Sequence, residues 1–123
     1  MYLLDEPSAI MKKFKRAVTD SENIVIYDRE KKPGIANLLD ILSAATGTKP
    51  DVLAMQYTQY GPLKNDAGEA VCAMVAPIQQ RYSELMTDRA ELQRLLRMGA
   101  HKAREVAATT LERAKSAVGF LAE

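Results

Sequence analysis

Residues 63–86 read LKNDAGEAVCAMVAPIQQRYSELM, and this stretch decides the fold. Leu63, Ala67, Val71, Met74, Ile78, Tyr82 and Leu85 recur at three- and four-residue intervals, the period of one face of a helix. The spacing predicts a long central helix. Pro77 falls inside it, removing one backbone hydrogen bond and crowding the preceding turn. The apolar stripe keeps its phase across Pro77, so a kink is expected there and not a break. Downstream, Thr87 or Asp88 can cap a fifth helix in which Leu92, Leu95 and Leu96 pack inward until Gly99 interrupts. A sixth helix then runs from His101 to Val118. Upstream, Pro50 opens a short third helix ending at Tyr60-Gly61. A second runs from Ile35 to near Ala45, burying Leu38, Leu39 and Leu42 before Gly47 stops it. The first starts at Pro7, a residue suited to the first helical position, and runs to near Asp20. It sets Ile10, Phe14, Ala17 and Val18 on one face and Lys12, Lys13, Lys15 and Arg16 on the other. Only Ser21 to Gly34 breaks the helical period. Ile24, Val25 and Ile26 suit an extended path, Asp28 to Lys32 is a charged run, and the whole reads as a connecting loop. The fold class expected is all-α, a bundle of about six helices.

A chain of 123 residues with 47% hydrophobic residues has enough apolar surface for one modest core, so a single domain is expected. Seventeen basic against sixteen acidic residues leave a net charge of +1, which argues neither for nor against a nucleic acid partner. Any electrostatic case therefore rests on where the charges sit. One cysteine, Cys72, rules out an internal disulfide and suits a reducing compartment, so the cytoplasm is the expected location. No run has the apolar length of a membrane span, and the start, Met1 to Glu6, is too acidic and too short for a signal peptide.

Catalytic chemistry finds little purchase. With one histidine and one cysteine there is no metal-ligand spacing and no Cys/His or Ser/His/Asp set. On a helical wheel His101 falls beside Glu105 and Glu112, as an ordinary surface histidine does. Cys72 sits well off the centre of its helix's apolar stripe, as a partly buried small residue. No glycine-rich phosphate loop occurs, and no pair of carboxylates stands out for acid–base work.

The basic residues have two concentrations: the back of the first helix, and Arg89, Arg94, Arg97, Lys102, Arg104, Arg113 and Lys115 near the end of the chain. In the latter, Lys102 and Arg113 share one azimuth and Arg104 and Lys115 another. They flank a stripe of Ala103, Val106, Ala107, Thr110 and Ala114. Spacing alone leaves two readings open: solvated flanks whose stems cover the edge of a core, the commoner outcome, or an RNA surface. Arg81, at the margin of the long helix's stripe, needs a partner or a purpose, and a structural ion pair is the commoner of these.

Several blocks, in order along nearly the whole chain, resemble bacterial tryptophanyl-tRNA synthetases. Leu3-Leu4-Asp5-Glu6-Pro7 followed by Lys13–Asp20 (KFKRAVTD) looks like the segment after that family's KMSKS loop. Lys32 to Leu39 (KPGIANLL) is similar to its KPGxxNLL signature. Tyr60 to Lys64 (YGPLK), Pro77 to Tyr82 (PIQQRY) and Gly99 to Arg104 (GAHKAR) look like its YGxLK, PIQxRY and GAxKAR blocks, and the chain ends on Val118-Gly119-Phe120 as members tend to. Each block is weak alone; together they are specific.

The resemblance implies a C-terminal helical region that recognises the anticodon of tryptophan tRNA, joined to a Rossmann-type catalytic domain. By that likeness residues 1–34 would abut the catalytic domain, and without it the apolar face of the first helix is expected to be exposed, to fray, or to pair with a second copy of the chain. Residues 35–123 would form the anticodon-binding bundle. The HIGH signature needs two histidines and this chain has one, and Met11 to Lys15 lack KMSKS order. ATP, magnesium and the tryptophan pocket thus belong to the family's other domain. No cofactor, no metal and no catalysis are expected of this chain. Arg81, Lys102 and Arg104 lie in family-like blocks and are the candidate tRNA-binding residues. Lys102 and Arg104 would also sit near a helix start, where backbone donors attract anions. The alternative is a stand-alone interaction or regulatory protein that kept the bundle and lost the RNA.

Overall fold

A computed structural model describes residues 1–120. The described residues form five helices and no strand: α1 (Pro7–Lys15), α2 (Pro33–Thr46), α3 (Pro50–Ala54), α4 (Tyr60–Thr87) and α5 (Arg89–Ala117). The all-α expectation holds, and the count is one lower because the expected fifth and sixth helices are one. Gly99 lies in mid-helix, exposed, with open space where a side chain would be. A glycine there costs about 1 kcal/mol of helix propensity, too little to stop a long helix with no competing turn. The chain divides into two compact units, residues 1–80 and residues from Arg81 onward, with α4 passing from the first into the second.

The core of the first unit joins Ile10 and Phe14 of α1, Val25 of the following segment, Ile35, Leu38, Leu39 and Leu42 of α2, Leu53 of α3, and Tyr60, Leu63, Ala67, Val71 and Val75 of α4. The i, i+4 row on α4 is stricter than expected. Val75 takes the place predicted for Met74, and Ile78 and Tyr82 are about half exposed. The first helix also differs from expectation. It ends at Lys15, short of the expected Asp20 and leaving Val18 exposed, while Ile10 and Phe14 are buried in the core with residues of α2–α4. Gly47 adopts the left-handed conformation (φ 75°) that ends α2, as its position predicts.

The blocks that carry the family likeness fasten this unit. Gln79 Nε2 donates to the carbonyls of Leu3 (2.8 Å) and Asp5 (3.0 Å), tying the first block to α4. Lys64 Nζ donates to the Ala17 carbonyl (2.9 Å) and to Thr19 Oγ1 (3.0 Å), pinning the segment that leaves α1. Gly34 packs so tightly under the Val18 carbonyl that a Cβ there would overlap it. Gly34→Ala is therefore expected to destabilise the chain by roughly 1–3 kcal/mol, because backbone, not a flexible side chain, would have to shift. Thermal melting checks this. A variant that melts with the parent would mean the segment moves aside freely.

The second unit contains the last two turns of α4 and all of α5. Of the two expected cap candidates, Thr87 and Asp88, it is Asp88 that caps α5, its side chain accepting from Glu91 N at 3.0 Å. The expected inward packing of Leu92, Leu95 and Leu96 is only partial. Leu92 and Leu95 are half-buried, Leu96 is exposed, and α5 buries no residue. Among the described residues no helix is long and apolar enough to cross a membrane, and no group of side chains is arranged to hold a metal ion.

Candidate nucleic-acid interface

The charge of the chain is unevenly placed. α5 carries seven basic residues against three carboxylates, a net +4 inside a chain whose total is +1. Two of its ten charged side chains neutralise each other. Arg94 forms a two-pronged pair with Glu91 at 2.6 and 2.7 Å, which holds the Glu91 carboxyl below its ordinary range. His101 Nε2 stands 3.4 Å from Glu105, as its wheel position predicts, while Arg97 leans on the neutral Gln93 at 3.2 Å and keeps its charge. Among the described residues Arg89, Lys102, Arg104, Arg113 and Lys115 enter no ion pair and all are exposed.

Of the three predicted site residues, Lys102 and Arg104 are presented to solvent on α5, two positions apart and therefore on opposite margins of its small-residue stripe. The helix-start argument for them fails, because α5 runs unbroken from Arg89 and its interior N–H groups are spent on its own carbonyls. Arg81, on the last turns of α4, pairs with Glu84 at 3.1 Å and remains 59% exposed, and its charge also bears on Glu91 of α5. The ion pair is the structural role expected of it. An exposed pair of this kind is worth a fraction of a kcal/mol and leaves the guanidinium available to an anion.

A second polar cluster was invisible to the sequence reading. Lys32 is the one buried charged side chain among the described residues. Its Nζ lies 2.7 Å from Glu22 Oε2, 3.1 Å from Tyr60 OH and 3.3 Å from Asp20 Oδ1, while Tyr60 OH donates to Asp20 Oδ1 at 2.5 Å. Asn23, in the left-handed region (φ 56°), accepts from the Tyr60 N–H at 2.9 Å at the start of α4. The Tyr60 hydroxyl, the Glu22 N–H and the ammonium hold Asp20 at a pKa of about 2, and the Glu22 carboxylate and Tyr60 hydroxyl raise that of Lys32. A lysine that acts as base or nucleophile needs its pKa lowered. This one is fixed as a cation, so the cluster is a structural knot. The signal that could have found it is that Asp20, Lys32 and Tyr60 all belong to the family-like blocks. A shallow groove of about 290 Å³ lined by Val25, Ile26, Tyr27, Asp51, Ala54 and Met55 offers one carboxylate and no partner for it.

Comparison with known proteins gives the family. A family model described as tRNA synthetases class I (W and Y) matches residues 1–76. Tryptophan-tRNA ligase 1 of Streptomyces avermitilis is 46% identical over 121 residues, covering 98% of this chain and 37% of its own length. The tryptophan-tRNA ligase of Enterococcus faecalis is 50% identical over 120 residues, 96% of this chain and 35% of its own length. The crystal structure of tryptophanyl-tRNA synthetase from Mycoplasma pneumoniae superposes with a TM-score of 0.81 at 26% identity, covering 97% of this chain and 37% of that one. The chain thus spans little more than a third of the length of these relatives. With the family model matched over more than half of its residues, the chain belongs to the class I tRNA synthetases (W and Y), and the relatives it matches are tryptophanyl members of that family.

Proposed function

We propose that this chain is the C-terminal, tRNA-binding helical portion of a tryptophanyl-tRNA synthetase, recognising the anticodon region of tryptophan tRNA while a separate Rossmann-type domain carries out the ATP-dependent ligation. The observation that carries the reading is the unneutralised cationic surface of α5 in a chain whose remainder is net acidic. RNA contributes phosphates to such a surface and single-stranded bases for sequence readout. Arg81, Lys102 and Arg104 supply the cations in this proposal. In the cell the partners are tryptophan tRNA and the catalytic domain, and the location is the cytoplasm.

Titration with tryptophan tRNA against a non-cognate tRNA tests it, and tighter binding of the cognate is expected. Lys102→Ala and Arg104→Ala should each weaken binding and reduce the slope of log affinity against log salt by about one. Both residues are exposed, so the variants should melt with the parent. Unchanged affinity and slope in both would mean the flanks are only solvated edges. The second reading, an interaction protein that no longer binds RNA, draws on the exposed apolar residues Leu96, Val106 and Leu111 of α5. It predicts no discrimination between tRNAs.

A further inference from the structure

Three features of α5 coincide. Cations line both margins of its exposed stripe, Lys102 and Arg113 on one side and Arg97, Arg104 and Lys115 on the other. Of its carboxylates, Glu105 and Glu112 fall on the opposite face, where Glu105 meets His101, while Glu91, in line with Lys102 but three turns before it, is spent on Arg94. The floor between the cationic rows is shallow, formed by Ala103, Val106, Ala107, Thr110 and Ala114, every one exposed. A helix whose flanks served only solubility would interleave its charges as i, i+4 pairs of opposite sign. Here the signs are segregated, and segregation costs self-repulsion along each row that an anionic partner would relieve.

We infer that α5 lies lengthwise against a double-helical stem of RNA, its stripe facing the groove and each cationic row set against the phosphates of one strand. This rests on the RNA-binding reading above and adds the orientation of the helix and the form of RNA it meets. An α-helix with its side chains is about 10–12 Å across, so two rows on opposite margins suit two strands and not one. The minor groove of A-form RNA is wide and shallow, with 2′-hydroxyls along it. A floor of alanine, valine and threonine lets the helix approach it closely, and the Thr110 hydroxyl can exchange hydrogen bonds with those hydroxyls. A second copy of α5 fits badly, because cations on both margins would face cations in either direction of pairing. A lipid surface fits badly too, since a stripe this rich in alanine offers little to an acyl layer.

The experiment uses the full chain with three probes: tryptophan tRNA, an RNA stem closed by a short loop, and a single strand of the same length. The parent should bind the stem more tightly than the single strand. Arg113→Ala and Lys115→Ala, neither of which belongs to the anticodon surface proposed above, should each lower the salt slope on the stem by about one. Ala103→Leu combined with Ala107→Leu keeps every charge and raises the floor, and should weaken stem binding roughly tenfold by lifting the rows off the phosphates. Circular dichroism and melting confirm that this exposed double variant is folded. If tRNA binding depends on Lys102 and Arg104 but is indifferent to Arg113, Lys115 and the raised floor, the lengthwise orientation is wrong and the RNA-binding reading stands. The floor would then be left to a protein partner. If the parent binds none of the three RNAs, both fall together.

Discussion

Neutralising the two carboxylates around Lys32, in Asp20→Asn with Glu22→Gln, is expected to lower the melting temperature by on the order of 10 °C, and Lys32→Met by only a few degrees. The asymmetry follows from burial. The Lys32 side chain is 8% exposed, whereas Asp20 and Glu22 are 33% and 64% exposed. Removing the lysine leaves carboxylates that water can still reach, and Asp20 keeps the Tyr60 hydroxyl. Removing the carboxylate charges leaves an enclosed ammonium with only neutral acceptors, and an uncompensated buried charge is the costly half of a broken pair. Adding Lys32→Met to the double variant should therefore restore part of the loss, a sign reversal that a double-mutant cycle reads directly. A lysine variant less stable than the carboxylate double would overturn this account.

The same knot sets an acid limit. The folded-state pKa of Asp20, about 2, lies below its ordinary 3.8, so its contribution is fully present above that ordinary value and is lost as pH falls toward 2. The raised pKa of Lys32 works in the opposite sense, and its contribution is lost only in strongly alkaline solution. Melting followed between pH 4 and pH 2 should fall more steeply for the parent than for Asp20→Asn. Parallel curves would remove Asp20 from the explanation.

This knot also marks the limit of what could be read from residue order. The body and the stop of α2 were legible because their determinants are local: Leu38, Leu39 and Leu42 at helical spacing and a glycine free to adopt φ 75° at the stop. Its start was placed at Ile35, two residues late, because Pro33-Gly34 reads as the end of a loop although proline suits the first helical position. Asp88 was legible as a cap for the same reason. Lys32 was not. Its partners lie 10, 12 and 28 residues away, and periodicity records only which face of one element is apolar, so a lysine in a charged run reads as solvated. Gly99 shows the converse error, in which a local signal of about 1 kcal/mol was given the force of a stop although nothing nonlocal opposed the helix. For the candidate site, residue order gave the two cationic margins of α5 and the exposed place of His101. It could not give the partition of charge, since which arginine spends its charge on a neighbour depends on rotamers: Arg94 on Glu91, Arg81 on Glu84, with Lys102 and Arg104 left open.

Tryptophan-dependent pyrophosphate exchange and aminoacylation by this chain alone are expected to be absent, a loss of the whole rate enhancement. Forming an aminoacyl adenylate needs a site that cradles triphosphate and stabilises charge developing at the α-phosphate, through helix N-termini, metal and lysines on a mobile loop. The α4 helix begins on a tyrosine with its N–H committed to Asn23, the start of α5 is capped by the Asp88 carboxylate, and the basic residues of α5 other than Arg89 stand along its sides. The buried lysine is held protonated by two carboxylates and a tyrosine. Exchange measured above a control lacking the chain would overturn the expectation. The sharper experiment supplies the catalytic portion of a related tryptophanyl enzyme as a separate polypeptide. Each partner would then carry one function, and charging should reappear only at high concentrations of both. The covalent link ordinarily holds the two portions at an effective concentration in the millimolar range, which two free chains at micromolar concentration cannot match. Charging that depends steeply on this chain, and that Lys102→Ala weakens without changing tryptophan activation, would place its contribution on the tRNA. Charging by the catalytic portion at an undiminished rate without this chain would take that contribution away.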